Sequence, residues 1–219
     1  MNIRSAINLI ITGVSLSGNS SKLNAKSSIE EFLILKAFSV QFNNTPPPLI
    51  KEVLWQPPIF NWVKCNSDGA SLGNPGPSSC GGLFRNSSAE FLGAFAYNLG
   101  ISNSLSAELN GAMYAVELAH HFGWKNLWLE TDSMLVVNAF KSSKTIPWHL
   151  KNRWDNCLLL ISSMNFFVSH IYREGNTCAD KFANLGLSIL TLNWWCNVPP
   201  HISDDFVRNR LGLPFYRFG

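Results

Sequence analysis

The sequence predicts an α/β fold, a mixed five-stranded sheet flanked by helices, and three observations carry that prediction. Three strand-like stretches, residues 62–70, 80–85 and 90–99, follow one another across short turns rich in Gly, Pro, Asn and Ser, the signature of an antiparallel meander. After them, helix-period and strand-period segments alternate, as they do when packed helices separate the strands of one sheet. Four carboxylates, Asp68, Glu108, Asp132 and Asp180, punctuate otherwise apolar or Gly-rich segments where a strand ends or a helix begins.

Residues 1–59 are rich in Ser and Asn, carry the Pro46-Pro47-Pro48 run and show apolar patches without sustained periodicity. They are expected to be a largely irregular linker or remnant. Residues 60–190 form the expected domain, and 191–219 a tail too short for a domain, which either packs on the core or waits for a protein partner. Within the domain, Leu105, Leu109, Ala112, Met113 and Val116 recur at helical spacing over 104–121, which sets Glu108 on the rim of a buried arc. A strand is expected over 126–131, helices over 133–140 and 149–162, a strand over 165–172 and a last helix over 176–190.

Composition bounds the function. The chain has 219 residues, 46% hydrophobic and 14% charged, enough for a core that stands unaided. Five scattered cysteines without a C-x-x-C pair predict a reduced intracellular protein, in nucleus or cytoplasm, with neither a disulfide framework nor a zinc site. The opening residues before Glu30 contain no acid and share features with a transit or secretory segment, which leaves organelle targeting open. No apolar run is long enough to span a bilayer, so no membrane partner is expected. The net charge of +3 lies in the flanks: 5 − 3 = +2 over 1–59 and 3 − 2 = +1 over 191–219, against nine basic and nine acidic residues over 60–190. A domain without a basic footprint is a poor binder of nucleic acid unless cations held by its acids supply the positive charge.

Hydrolysis of a phosphodiester needs an activated water and neutralised charge at phosphorus, which paired divalent cations supply, and hard carboxylate oxygens are their ligands. Strand alternation puts Asp68 on one face with Asn66 and Lys64, and Asp132 on one face with Glu130 and Trp128. Both acids fall at carboxyl ends of core strands, where α/β sites open. Taken singly, each Asp is better explained as a turn or cap residue.

As a set they resemble the type 1 ribonuclease H family. The matching segments are Asp68-Gly69 with the Gly73-Asn74-Pro75-Gly76 loop, Ala107-Glu108, Thr131-Asp132-Ser133, and Asn176-Thr177-Cys178-Ala179-Asp180. Trp55-Gln56-Pro57-Pro58 and Tyr172-Arg173-Glu174-Gly175 are similar to the plant retroelement-derived branch, whose domains often follow a reverse transcriptase. The resemblance implies a ribonuclease H-like sheet, and endonucleolytic cleavage of the RNA strand of RNA–DNA hybrids by a two-metal-ion mechanism. Asp68, Glu108, Asp132 and Asp180 would hold two Mg2+ ions, with Mn2+ as a substitute, in a monomer. It also implies contacts to nucleic acid from Gly69, Asn74, Asn176 and Arg173, the last standing where many relatives carry a loop His.

Departures keep a second reading open. Ser104-Leu105 and Met134 replace polar residues of the family, and its long basic protrusion is missing. Lys141, Lys144, Lys151 and Arg153, with Trp148 and Trp154, either form a weak DNA-strand channel or divide between solvent and core. The alternative function is a catalytically weak or inactive domesticated module that binds nucleic acid or a protein partner.

Overall fold

A computed structural model describes residues 2–22, 24, 28–41, 49–142 and 145–218; the Pro46-Pro47-Pro48 run and Lys144 lie outside them. The chain divides into two compact units, residues 1–49 with 218–219, and residues 50–217.

The first unit corrects the expectation of a largely irregular segment. It contains α1 (Ile3–Ser20) and α2 (Ile29–Ala37). Asn2 caps α1 by accepting a hydrogen bond from the Arg4 amide, as Asn does at such positions. Ile3, Ile7, Ile10, Ile11 and Val14 do recur at helical spacing, and all remain exposed. The Ser and Asn content, which favours turns, masked that pattern.

The second unit starts with β1 (Ile50–Val53) and the meander β2 (Val63–Ser71), β3 (Gly76–Arg85) and β4 (Phe91–Ser102). Then come α3 (Ser104–His121), β5 (Asn126–Thr131), α4 (Met134–Lys141), α5 (Lys151–Ser162), β6 (Asn165–His170) and α6 (Thr177–Gly186). The chain closes with β7 (Asn193–Trp195), α7 (Pro200–Arg210) and β8 (Phe215–Phe218). The main sheet has the order β6-β5-β2-β3-β4-β7. Pairing is antiparallel within the meander and parallel for β2–β5 and β5–β6. The mixed sheet flanked by helices is thus as expected, with a sixth strand added. A separate two-stranded sheet joins β1 to β8.

Alternation along the strands builds two apolar layers. Phe84 and Phe95 point into the larger layer with Leu109, Met113 and Val116 of α3, Val136 of α4 and Trp154 of α5. Their neighbours Leu83 and Ala94 point the other way, onto Phe182 of α6 and Ile202 and Phe206 of α7. The tail therefore completes the core: Trp194 lies over Phe84, with ring centroids 5.9 Å apart, and Trp195 over Phe182 at 5.4 Å. Gly93 makes this possible, because a Cβ there would stand 2.0 Å from the Trp194 ring. The strand expected to reach residue 172 stops at His170, and the helix expected to reach 190 stops at Gly186.

One close approach positions the site. A Cβ on Gly69 would stand 2.2 Å from the Glu108 amide nitrogen, so only glycine lets α3 lie directly on β2 at Ala107 and Glu108. The helix is anchored there by Asn103, whose side chain accepts from the Ser106 amide at 2.8 Å.

Candidate metal centre

Asp68 on β2, Glu108 in the second turn of α3 and Asp132 just past β5 converge, each offering a carboxylate oxygen within 4.8 Å of the others. They line a cleft of about 260 Å³ with Gly69, Ser71, Ser104, Arg173 and Asp180. Asp180, in the first turn of α6, shares the cleft and accepts a hydrogen bond from Arg173 at 3.3 Å. The four acids proposed from sequence therefore meet, three as a tight group and the fourth beside it, held by a cation.

The electrostatics of the cluster suit a bound positive charge. Burial, followed by the charges of Asp132 and Asp180, raises the Asp68 carboxyl above the usual carboxylate range. Burial, followed by the charges of Asp68 and Asp132, raises Glu108. Asp132 is raised by burial, against the opposing effects of hydrogen bonding from Asn176 and the charge of Arg173. Glu108 Oε2 is buried without a hydrogen-bond partner among the described residues, an arrangement that costs free energy unless something positive fills the space. Clustered hard oxygen donors with one orphaned atom suit a divalent cation of the magnesium class.

The expected nucleic-acid contacts fall in different environments. Arg173 is 76% exposed at the cleft. Asn74 is exposed and accepts from the Ser104 amide at 3.3 Å, which ties its loop to the start of α3. Gly69 lines the cleft, and its lack of a side chain serves the packing of α3. Asn176 corrects the expectation. It is 1% exposed, donates to Ser67 O and Asp132 Oδ1, both at 3.1 Å, and accepts from Asn66 at 3.2 Å. Its polar groups are spent inside the protein, where it braces Asp132. The two tryptophans of the expected channel part company: Trp154 is wholly buried and Trp148 is 88% exposed. His170 places Nε2 3.1 Å from Asp132 O.

Sequence reasoning put Lys64, Asn66 and Glu130 on the faces of the acids but missed that, with Arg85, they form a buried polar layer behind them. Lys64, Asn66, Arg85 and Glu130 are all buried. Lys64 pairs with Glu130 at 3.0 Å and lies 3.5 Å from the centre of the Trp128 ring. The available signal was the alternation of polar residues along two core strands, Lys64-x-Asn66-x-Asp68 and Glu130-x-Asp132.

Comparison with known proteins agrees with this geometry. Residues 66–186 match the family model described as reverse transcriptase-like. An Arabidopsis thaliana protein provisionally named a ribonuclease H protein is 35% identical over 171 residues, covering 77% of this chain and 27% of the relative. Ribonuclease HI of Halobacterium salinarum is 28% identical over 134 residues, 60% of this chain and 67% of that protein. The chain thus spans about a quarter of one of these relatives and two thirds of the other. Among solved structures, ribonuclease H1 of H. salinarum superposes with a TM-score of 0.54 at 27% identity, over 57% of this chain and 97% of that one. The N-terminal ribonuclease H domain of a Mycobacterium tuberculosis protein gives 0.54 at 26% identity, over 57% and 93%. With fold, acidic cluster and sequence match in agreement, the chain belongs to the reverse transcriptase-like family of type 1 ribonuclease H domains.

Proposed function

We infer that this domain hydrolyses the RNA strand of RNA–DNA hybrids as an endonuclease, with two divalent cations, Mg2+ in the first instance and Mn2+ in its place. The observation that carries the reading is the meeting of Asp68, Glu108 and Asp132, with Asp180 in the same cleft, in a chain whose relatives bear ribonuclease H names. Asp68, Glu108, Asp132 and Asp180 would hold the cations. When bound, these ions supply charge neutralisation at a phosphate and Lewis-acid activation of the attacking water.

The rest is done by the chain itself. The 68–72 segment and Ser104 help to line the cleft that a phosphate would enter beside the acids. Arg173, exposed and paired at 3.3 Å with Asp180, can turn its guanidinium to a phosphate oxygen once Asp180 is neutralised by a cation. Asn74 and the main chain of its loop lie beside the start of α3, a placement suited to contacting 2′-hydroxyls in the minor groove of a hybrid.

The test is cleavage of a labelled RNA–DNA hybrid with Mg2+ and with chelator. The expected result is metal-dependent cutting that Asp68→Asn abolishes while the variant keeps the wild-type circular dichroism spectrum. Undiminished cutting by Asp68→Asn would overturn the assignment. The second reading, a binding module without turnover, is favoured by the balanced charge of residues 60–190; hybrid binding without cleavage in the same assay would select it.

A further inference from the structure

We propose that the buried Arg85 is a positioning residue, which acts through the side-chain amides of Asn66 and Asn176 to fix the Asp132 carboxylate. The inference rests on the nuclease reading for its consequence and on the hydrogen-bond geometry for its substance. Arg85 Nη2 donates to Asn66 Oδ1 at 2.7 Å, and Trp55 Nε1 donates to the same oxygen at 2.8 Å. The Asn66 amide nitrogen then donates to Asn176 Oδ1 at 3.2 Å and to Glu130 Oε2 at 3.0 Å. The Asn176 amide nitrogen donates in turn to Asp132 Oδ1 at 3.1 Å. Each amide passes polarisation in one direction, from cation to carboxylate, and hydrogen bonds in such chains strengthen one another.

The charge at the start of the chain has few other outlets. Arg85 is 1% exposed, and its Nε and Nη1 have no hydrogen-bond partner among the described residues. Its guanidinium carbon lies 3.4 Å from the centre of the Trp55 ring. The buried layer holds two cations, Lys64 and Arg85, against the one anion Glu130, and Lys64 already pairs with that anion. An imperfectly partnered buried cation is destabilising, and replacing it by an apolar side chain of similar length is commonly neutral or stabilising. A purely structural Arg85 and a positioning Arg85 therefore predict opposite couplings between stability and the site.

Arg85→Met separates them. Removing the guanidinium strands no partner, since Asn66 Oδ1 keeps the Trp55 donor and Glu130 keeps Lys64. The expected result is a melting temperature at or above that of the wild type, with Mg2+ affinity, measured by calorimetry without substrate, reduced about tenfold or more, as for other residues that orient ligands. In metal-free protein, the Asn176 side-chain amide resonances should also shift. Asn66→Leu, which cuts the chain at its middle, should weaken Mg2+ binding at least as much; if it fails to fold, Arg85→Met decides alone. A folded Arg85→Met variant with wild-type Mg2+ affinity and unmoved Asn176 amide signals overturns the proposal. Wild-type protein that takes up no Mg2+ would overturn the nuclease reading instead, and the amide shift in metal-free protein would still decide the role of Arg85.

Discussion

Asp180 accepts a hydrogen bond from Arg173 at 3.3 Å, so the acid that lies beside the tight group of Asp68, Glu108 and Asp132 is the one with an arginine partner. The arginine is 76% exposed, so the pair is largely screened and worth no more than about 1 kcal/mol. It can therefore open at little cost when a cation arrives. Arg173→Ala is expected to change unfolding free energy by less than about 1 kcal/mol and to reduce hybrid cleavage while leaving Mg2+ affinity unchanged or higher. Chemical denaturation, calorimetry and steady-state kinetics check the three parts separately.

The crowding of Asp68, Glu108 and Asp132 fixes a pH dependence. Their carboxyls are raised first by burial and then by neighbouring carboxylates, Asp132 and Asp180 for Asp68, Asp68 and Asp132 for Glu108, and Asp180 for Asp132, so the folded protein holds protons that the unfolded chain would release. That contribution to stability is complete below the unfolded values near pH 4 and is lost as pH rises towards the folded ones. In chelator, the wild type should lose melting temperature relative to Asp68→Asn between about pH 5 and pH 8, and Mg2+ should restore it most at the upper end. Thermal melts of the two proteins across this range measure the difference; a constant gap between them, with and without Mg2+, would refute the expectation.

Gly69→Ala would place a methyl group 2.2 Å from the Glu108 amide nitrogen. The obstacle is backbone, so α3 itself must shift. A loss of at least about 1–3 kcal/mol is expected, the ordinary range for overpacking, together with weaker Mg2+ binding because Glu108 moves with the helix. Denaturant melts and metal titration of the same preparation test both.

Trp154→Ala should cost about 3–5 kcal/mol, as removal of a fully buried large aromatic does. Trp148, 88% exposed, should leave the melting temperature unchanged on replacement by Ala and weaken hybrid binding by an amount consistent with one stacking contact, about 1–3 kcal/mol. Fluorescence anisotropy with a labelled hybrid reads the second effect, and unaltered affinity would remove Trp148 from the nucleic-acid surface.

Much of this was legible in the residues. Short turns marked the meander, helical spacing from Leu105 to Val116 marked α3, and the contexts of Asp68, Glu108, Asp132 and Asp180 marked a shared cleft. What escaped was decided by tertiary packing. Asn176 looks like a polar residue at a helix start, and only its tertiary hydrogen bonds with Asn66, Ser67 and Asp132 show it turned inward to brace Asp132. Likewise Asn193 to Trp195 has no strand signature of its own; it becomes one because Phe84 and Phe182 offer aromatic surface on either side of β4. The helix α1 was hidden by Ser and Asn, which lower local propensity without forbidding a helix.

The short β7 strand has a practical corollary. It hydrogen-bonds along the outer margin of β4, from Ala94 to Ala96, beyond the 66–186 span of the family match. A recombinant piece trimmed to that span would bare the amides and carbonyls of this margin and strip the indole lids from two phenylalanines. A bared margin of this kind is a template for pairing with another chain, so preparations meant for assay should extend through Arg217.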